Sequence, residues 1–408
     1  METSIGHEMA LEALRAVSAN AVGQGDIPGV ATLVWRRGAI VHEDAAGLRD
    51  VESALPVERS TIFAIASMSK PLTVVLALTL VEEGKLRLGD AITRWAPEFD
   101  SMRVLRRVDG PLDETEPAPR AITIEDLMTH RSGLAYGFAT PGPLGRELRA
   151  RFGTGISSDL GPDAWLAKLA SLPLAHAPGE CFCYGHSTDV LGFVVARAAG
   201  TTLRDALHER VLDPLGMSDT DFWVPPAKRK RFAQIYRSRS VHDFTRAPIP
   251  QFVADAPPAY TSGGQGLVST ADDYLTFARL LLGGGAVGRV RVLKPDTVKL
   301  MLTDRLSAAQ RSTHFMGRPF FRGKGFGLGV SVVDDPEQVE GPAGRGSFSW
   351  PGGFGGWWQA DPENDLVLLW LQQCVPESPP GGAQADPYWP GERARTDFRE
   401  RAYAAFAS

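Results

Sequence analysis

Ser67-Met68-Ser69-Lys70-Pro71, followed by the apolar run from Leu72 to Val81, is the stretch on which the reading of this chain turns. Pro71 lacks a backbone N–H and fits the first turn of a helix, where N–H groups have no intrahelical partner. The pattern predicts a helix that begins at or just before Ser67, runs to about Glu83 and stops at Gly84. Three residues apart, Ser67 and Lys70 share one face of its first turn. A hydroxyl beside an amine is a nucleophile with a candidate base, and the partial positive charge of a helix N-terminus favours an alkoxide on Ser67. The same residues also suit a plain helix start, with Ser67 or Ser69 as its cap and Lys70 in solvent. Catalysis needs support from elsewhere in the chain.

With 408 residues the chain can bury a large core, and at roughly 100 to 200 residues per domain two structural units are expected. A charged fraction of 22% and a net charge of -5 give no reason to expect nucleic acid or an anionic membrane as partner. The basic run Lys228 to Arg231 is short, follows Pro225 and Pro226, and reads as a solvated loop. Cys181, Cys183 and Cys374 are too few for a disulfide framework and suit a reducing compartment. No run approaches the roughly 18 to 20 apolar residues that a membrane span requires. A cytoplasmic location follows as an expectation. At the N-terminus, Met9, Leu11, Leu14 and Val17 recur at helical spacing and predict an amphipathic helix.

Val30 to Trp35 and Ala39 to His42 read as a hairpin around Arg36 to Gly38. A loop-rich, helical middle follows, with a capping box at Thr123 and Asp126, helices at Ala164 to Ser171, Thr188 to Ala199 and Leu203 to Leu212, and a further helix at Ala271 to Leu282. Gly327 to Val333, Ser347 to Trp350, Gly356 to Ala360 and Leu366 to Leu371 read as strands, and Arg393 to Ala405 as a closing helix. Strands thus lie at both ends and helices between them. The expected fold is α+β, an antiparallel sheet flanked by terminal helices with a mainly helical domain inserted. Its parts are 1–86, 87–255 and 256–408, with a ligand cleft at the junction. Pro376 to Pro390 reads as a long surface loop or flap.

Gly283, Gly285 and Gly288 satisfy G-x-G-x-x-G but follow a helix, so they read as a helix terminus and not as a dinucleotide site. There is no G-x-S-x-G elbow, H-E-x-x-H or P-loop, and the eight histidines are scattered, so neither a metal nor a cofactor is expected.

Two further motifs change the weight of Ser67. Pro178-Gly179-Glu180-Cys181-Phe182-Cys183-Tyr184, with Leu191-Gly192 after it, resembles the tyrosine motif of the serine β-lactamase and penicillin-binding-protein superfamily, in its class C β-lactamase and family VIII carboxylesterase branch. Trp350-Pro351-Gly352-Gly353, ahead of Asp361-Pro362, resembles the edge-strand motif that is K-T-G or H-T-G in lactamases and W-x-G in the esterases. Glu82 to Leu88 with Pro97, Leu127 to Leu134, Pro214 to Met217 and Gly263 to Thr270 fit the same family, so the resemblance extends from about residue 8 to 373.

The resemblance implies Ser67 as nucleophile, with Lys70 and Tyr184 sharing its deprotonation. It also implies an oxyanion hole from the N–H groups of Ser67 and Gly353, or of Phe354 in a register one residue later. Many members have Ser or Cys after the tyrosine and lactamases have Asn two after it, where this chain has Gly185 and His186. Trp350 and His186 are expected to line the substrate site, with His186 touching the acyl or leaving group; the alternatives for His186 are that it tunes Tyr184 or faces solvent. An indole in place of a cation favours a neutral, short-chain ester over a carboxylate-bearing lactam. The rivals are a β-lactam or amide hydrolase, an acyltransferase, and a catalytically silent binding protein of the same fold.

Overall fold

The computed structural model describes residues 2–313, 319–377 and 389–406, with side chains from residue 8 onward. Helix α1 (Glu2–Gly23) leads into the hairpin of β1 (Gly29–Arg36) and β2 (Ala39–Asp50), with the short β3 (Leu55–Pro56) beyond it. Next comes α2 (Ser69–Glu82), then a loop-rich middle that includes α3 (Ile124–Met128) and α4 (Ser187–Ala199), then α5 (Ala271–Leu282). The chain returns to the sheet with β4 (Lys324–Phe326), β5 (Ser331–Val333), β6 (Phe348–Ser349), β7 (Trp357–Asp361) and β8 (Leu366–Gln372), and closes with α6 (Glu392–Phe406).

These strands form one eight-stranded antiparallel sheet in the order β4-β5-β6-β7-β8-β1-β2-β3. Its centre joins the two ends of the chain, with Val30 opposite Gln372 and Arg36 opposite Leu366. Alternation along β8 explains its unbroken apolar sequence. Leu366, Leu368 and Trp370 face the cluster that α1 and α6 build from Leu14, Val17, Phe398 and Phe406. Val367, Leu369 and Leu371 face the larger core on the other side, with Leu72, Leu76 and Phe277 of α2 and α5. α2 is buried from Ser69 to Leu80, which is why its apolar run shows no polar face.

Several expectations shift. Met9 is 66% exposed, and the buried side of α1 runs through Leu14, Val17, Ser18 and Ala21. β2 continues past His42 to Asp50, held by its ladder with β1 as far as Gly29 opposite Gly47. Gly327 to Val333 is not one strand: the Gly327 N–H bonds back to Val330 O and Gly329 takes φ +78°, so a turn separates β4 from β5. This hairpin lies outside β6, so the motif at Trp350 follows an inner strand and not an edge. Leu203 to Leu212 changes from α-helix to a π turn at His208. The basic run is a 3-10 turn tied down by ion pairs, Lys228 and Arg231 to Asp219 and Arg229 to Asp255. Most of Pro376 to Pro390 lies outside the described residues. Among the described residues no helix is long and apolar enough to cross a membrane, and no group of side chains could hold a metal ion.

Candidate active site

The turn that carries Ser67 is held by backbone pairing. Phe63–Ala64 pairs antiparallel with Val268–Ser269, and the Ile65 N–H donates to Leu267 O at 2.9 Å. The chain then makes a single 3-10 turn, Ala66–Met68, before α2 begins, so Ser67 sits just ahead of the α-helix and not inside it. Ala66 takes φ +45°, the left-handed region that an L-residue occupies only when its surroundings impose it. Ser69 is neither a cap nor exposed; its Oγ accepts from the Leu267 N–H at 3.1 Å. Thr73 Oγ1 donates to Gly263 O at 2.6 Å and Tyr274 Oη to Met68 O at 3.0 Å, which fixes the start of α2 from two sides.

Lys70 is fully buried, which excludes the solvated reading of its side chain. Its Nζ donates to Ser67 Oγ at 3.2 Å, to Gly264 O at 2.9 Å and to Tyr136 Oη at 3.4 Å. An ammonium has three N–H bonds, and here each has an acceptor. Tyr184 Oη lies 2.7 Å from Ser67 Oγ, and Lys70 Nζ stands 4.6 Å from the centre of the Tyr184 ring. Trp350 is buried, and its Nε1–H donates to Tyr184 Oη at 3.2 Å. The structure therefore brings Ser67, Lys70, Tyr184 and Trp350 together, with Trp350, as buried as His186, acting on the phenol oxygen through its indole N–H.

The turn after β6 approaches the nucleophile through its glycines. A Cβ on Gly352 would lie 2.5 Å from the Ile65 carbonyl oxygen, so only glycine fits. The Gly352 N–H is spent on Gly356 O at 2.8 Å. Among the described residues, no group accepts a hydrogen bond from the N–H of Ser67, Gly353 or Phe354. A Cβ on Gly353 would stand 3.9 Å from that of Ala66, placing its backbone beside the nucleophile turn.

His186 is the residue whose expected role changes. It does not line a substrate surface: only 2% exposed, it directs Nδ1 at Asp189 Oδ2, 3.0 Å away. Tyr136, Trp165 and Phe152 pack around its ring at centroid distances of 4.5, 5.3 and 5.4 Å. Gly185 has a steric reason, since a Cβ there would lie 1.9 Å from Leu134 O.

Three contributors were not identified from sequence. Asp189, on the first turn of α4, is fully buried and accepts from Tyr136 Oη at 3.1 Å, from the Gly264 N–H at 3.0 Å and from Ser262 Oγ. Burial pushes its carboxyl up, but the His186 hydrogen bond and charge, the Lys70 charge and the Ser262 hydroxyl reverse this and hold it below the usual Asp range. Tyr136 goes the other way: burial first, then the Asp189 charge, keeps it well above the ordinary phenol value and thus protonated. His130 is buried with its ring centre 4.8 Å from that of Tyr184, and burial, aided by the Lys70 charge, drives it well below the usual histidine value. The available signals were modest. Tyr136 follows the Leu127 to Leu134 segment by two residues, and Asp189 is an acid directly ahead of the apolar run Val190 to Ala196.

A serine nucleophile flanked by a buried lysine and a tyrosine, set against an antiparallel sheet covered by terminal helices, defines a serine hydrolase of the β-lactamase fold. The chain belongs to the beta-lactamase family, whose profile matches residues 13–388. An uncharacterized protein of Mycobacterium tuberculosis is 50% identical over 361 residues, 86% of this chain and 87% of that protein. Esterase EstB of Burkholderia gladioli is 34% identical over 386 residues, 90% of this chain and 91% of the esterase. Among solved structures, EstCE1, described as a hydrolase with promiscuous acyltransferase activity, superposes with a TM-score of 0.80 at 28% identity, covering 98% of this chain and all (100%) of that one.

Proposed function

We propose that this protein is a carboxylesterase that cleaves short-chain, neutral esters through an acyl-enzyme on Ser67. The contact that carries this reading is Tyr184 Oη at 2.7 Å from Ser67 Oγ, with Lys70 Nζ at 3.2 Å on the same oxygen. Tyr184 takes the Ser67 proton while Lys70, its three N–H bonds directed at acceptors, serves as the local cation. Tyr184 does so as the phenolate, whose negative charge, held by the Trp350 N–H and by Lys70 beside the ring, is neutralised as the proton arrives. Ser67 Oγ attacks the ester carbonyl, and the N–H groups of Ser67 and Gly353 receive the oxyanion. Gly353 is assigned over Phe354 because its backbone stands beside the turn that carries Ser67, with a Cβ there 3.9 Å from that of Ala66. Tyr184 then returns the proton to the leaving alcohol, and a water activated by the same groups releases the acid.

Neutral esters are favoured because Trp350, at the position where lactamases carry a cation or imidazole, brings no charge to meet a substrate carboxylate. The esterase relative supports the same choice. The free cysteines accord with a cytoplasmic enzyme. We expect the protein to hydrolyse p-nitrophenyl acetate and butyrate and to be labelled on Ser67 by an active-site phosphonate. Ser67→Ala should lower ester turnover by at least about 10³-fold. Rapid cephalosporin hydrolysis without ester hydrolysis would overturn the substrate assignment, and absence of labelling would favour a silent binding protein. A second reading, acyl transfer to an alcohol, draws on the activity described for EstCE1. It predicts that added alcohol diverts the acyl group into a new ester at the expense of free acid.

A further inference from the structure

We propose that His186 is a positioning residue of the active site, acting through Asp189 and Tyr136 to fix Lys70 on Ser67, and not a group that touches substrate. The inference rests on the reading of Ser67 and Lys70 as catalytic. Asp189 is the hub. Four donors converge on its buried carboxylate, Tyr136 Oη and His186 Nδ1 on Oδ2, Ser262 Oγ and the Gly264 N–H on Oδ1.

Two of those donors lead straight back to Lys70. Tyr136 donates to Asp189 and accepts from Lys70 Nζ at 3.4 Å, and Gly264 donates its N–H to Asp189 while its carbonyl accepts from Lys70 at 2.9 Å. A buried carboxylate thus balances the lysine charge at one remove, leaving the third N–H of the ammonium for Ser67 Oγ. The packing leaves little slack in this relay. A Cβ on Gly264 would lie 2.9 Å from both Asp189 Oδ1 and Tyr136 Oη.

Within this arrangement His186 supplies the second donor to Oδ2, the oxygen that Tyr136 needs. Without it, Oδ2 has one donor fewer in a fully buried setting, and the carboxylate loses the contact that sets its rotation toward Tyr136. The imidazole cannot meet a substrate from its place. Aromatic rings pack around it, and Gly155 closes a further side, where a Cβ would lie 2.9 Å from His186 Cε1.

The test uses two substitutions that separate hydrogen bonding from packing. His186→Asn keeps an N–H donor near the Nδ1 position and loses the ring, whereas His186→Phe keeps the ring and loses the donor. The full-length protein is assayed with p-nitrophenyl butyrate, with Ser67 labelling by the phosphonate as a parallel readout. His186→Phe should lose about 10- to 100-fold in kcat with KM unchanged, and His186→Asn should stay within about threefold of the parent. Should the phenylalanine variant fail to fold, Tyr136→Phe provides the same reading, with about a tenfold loss confined to kcat. The proposal is overturned if the effect appears in KM, if the phenylalanine variant retains full kcat, or if the asparagine variant is the worse of the two. Failure of the underlying assignment looks different: the parent protein itself would not label at Ser67, or Ser67→Ala would keep its activity.

Discussion

Gly352 lies against the Ile65 carbonyl and Gly353 beside Ala66, on the turn that carries Ser67. Ala66 already spends conformational energy on its left-handed φ, about 1 kcal/mol or more, and the carbonyl before it lies against the bare face of Gly352. Ile65 cannot give way easily, since its N–H is tied to Leu267. Gly352→Ala should therefore push the turn that carries Gly353 away from Ser67. We expect kcat for esters to fall by at least about tenfold, with a stability loss of about 1–3 kcal/mol, checked by steady-state kinetics and urea unfolding of the same preparation. At this scale Ser67, Lys70 and Tyr184 were legible from sequence because each belongs to a short motif. His186 was not, because the sign of its role depends on which way the ring turns. Only the packing of Phe152, Trp165 and Tyr136 decides that, and those residues come from separate parts of the chain.

Among the elements, α3 was read from its cap. Thr123 Oγ1 accepts the Asp126 N–H at 3.1 Å, and the Asp126 carboxylate accepts the Thr123 N–H at 2.9 Å. Thr123→Ala should cost about 1 kcal/mol, seen as a lower urea midpoint at unchanged slope. α2 and β8 were equally plain, since a long apolar run bounded by Glu83-Gly84, or by Asp365 and Gln372, leaves few alternatives. The hairpin of β4 and β5 was missed for a physical reason. Gly327 and Gly329 serve a strand as readily as a turn in isolation, and the turn is chosen by contacts far away in sequence: Leu328 N–H to Met301 O and Gly329 N–H to Met128 O. The motif at Trp350 was likewise placed on an edge because nothing local reveals that another hairpin pairs outside it.

For the molecule as a whole, buried histidines contribute to the response to acid beside lowered carboxylates such as Asp126 and Asp189. Burial lowers His130 well below its ordinary value, and burial, helped by Arg15, lowers His42 to about 4. His176 is lowered in the same sense, again by burial. Between the unfolded value near 6.5 and these lower folded values, the unfolded chain binds protons that the native protein refuses, so stability falls as pH drops. His208, raised chiefly by its bond to Asp221, contributes oppositely, adding stability below the unfolded value that is lost as pH rises through its folded one. Three groups against one make acid destabilising, and melting temperature should decline steadily from pH 7 toward pH 4. His42→Gln should flatten that decline; an unchanged slope would show that His42 is not one of its sources.

The central pairing of β1 with β8 has a consequence for how the enzyme comes into being. Val30 finds Gln372, its partner across the ladder, only after all the residues between them have been made. The segment bearing Ser67 leaves the ribosome early, yet the sheet that backs its helix stays open along β1 until β8 arrives. A nascent chain therefore carries its nucleophile long before the surrounding framework can close. Such distant partners make folding slow and expose an unpaired strand while it proceeds. Closure of the sheet beside β1 is in this sense a late event, and a truncation that removes β8 leaves β1 unpaired on that side.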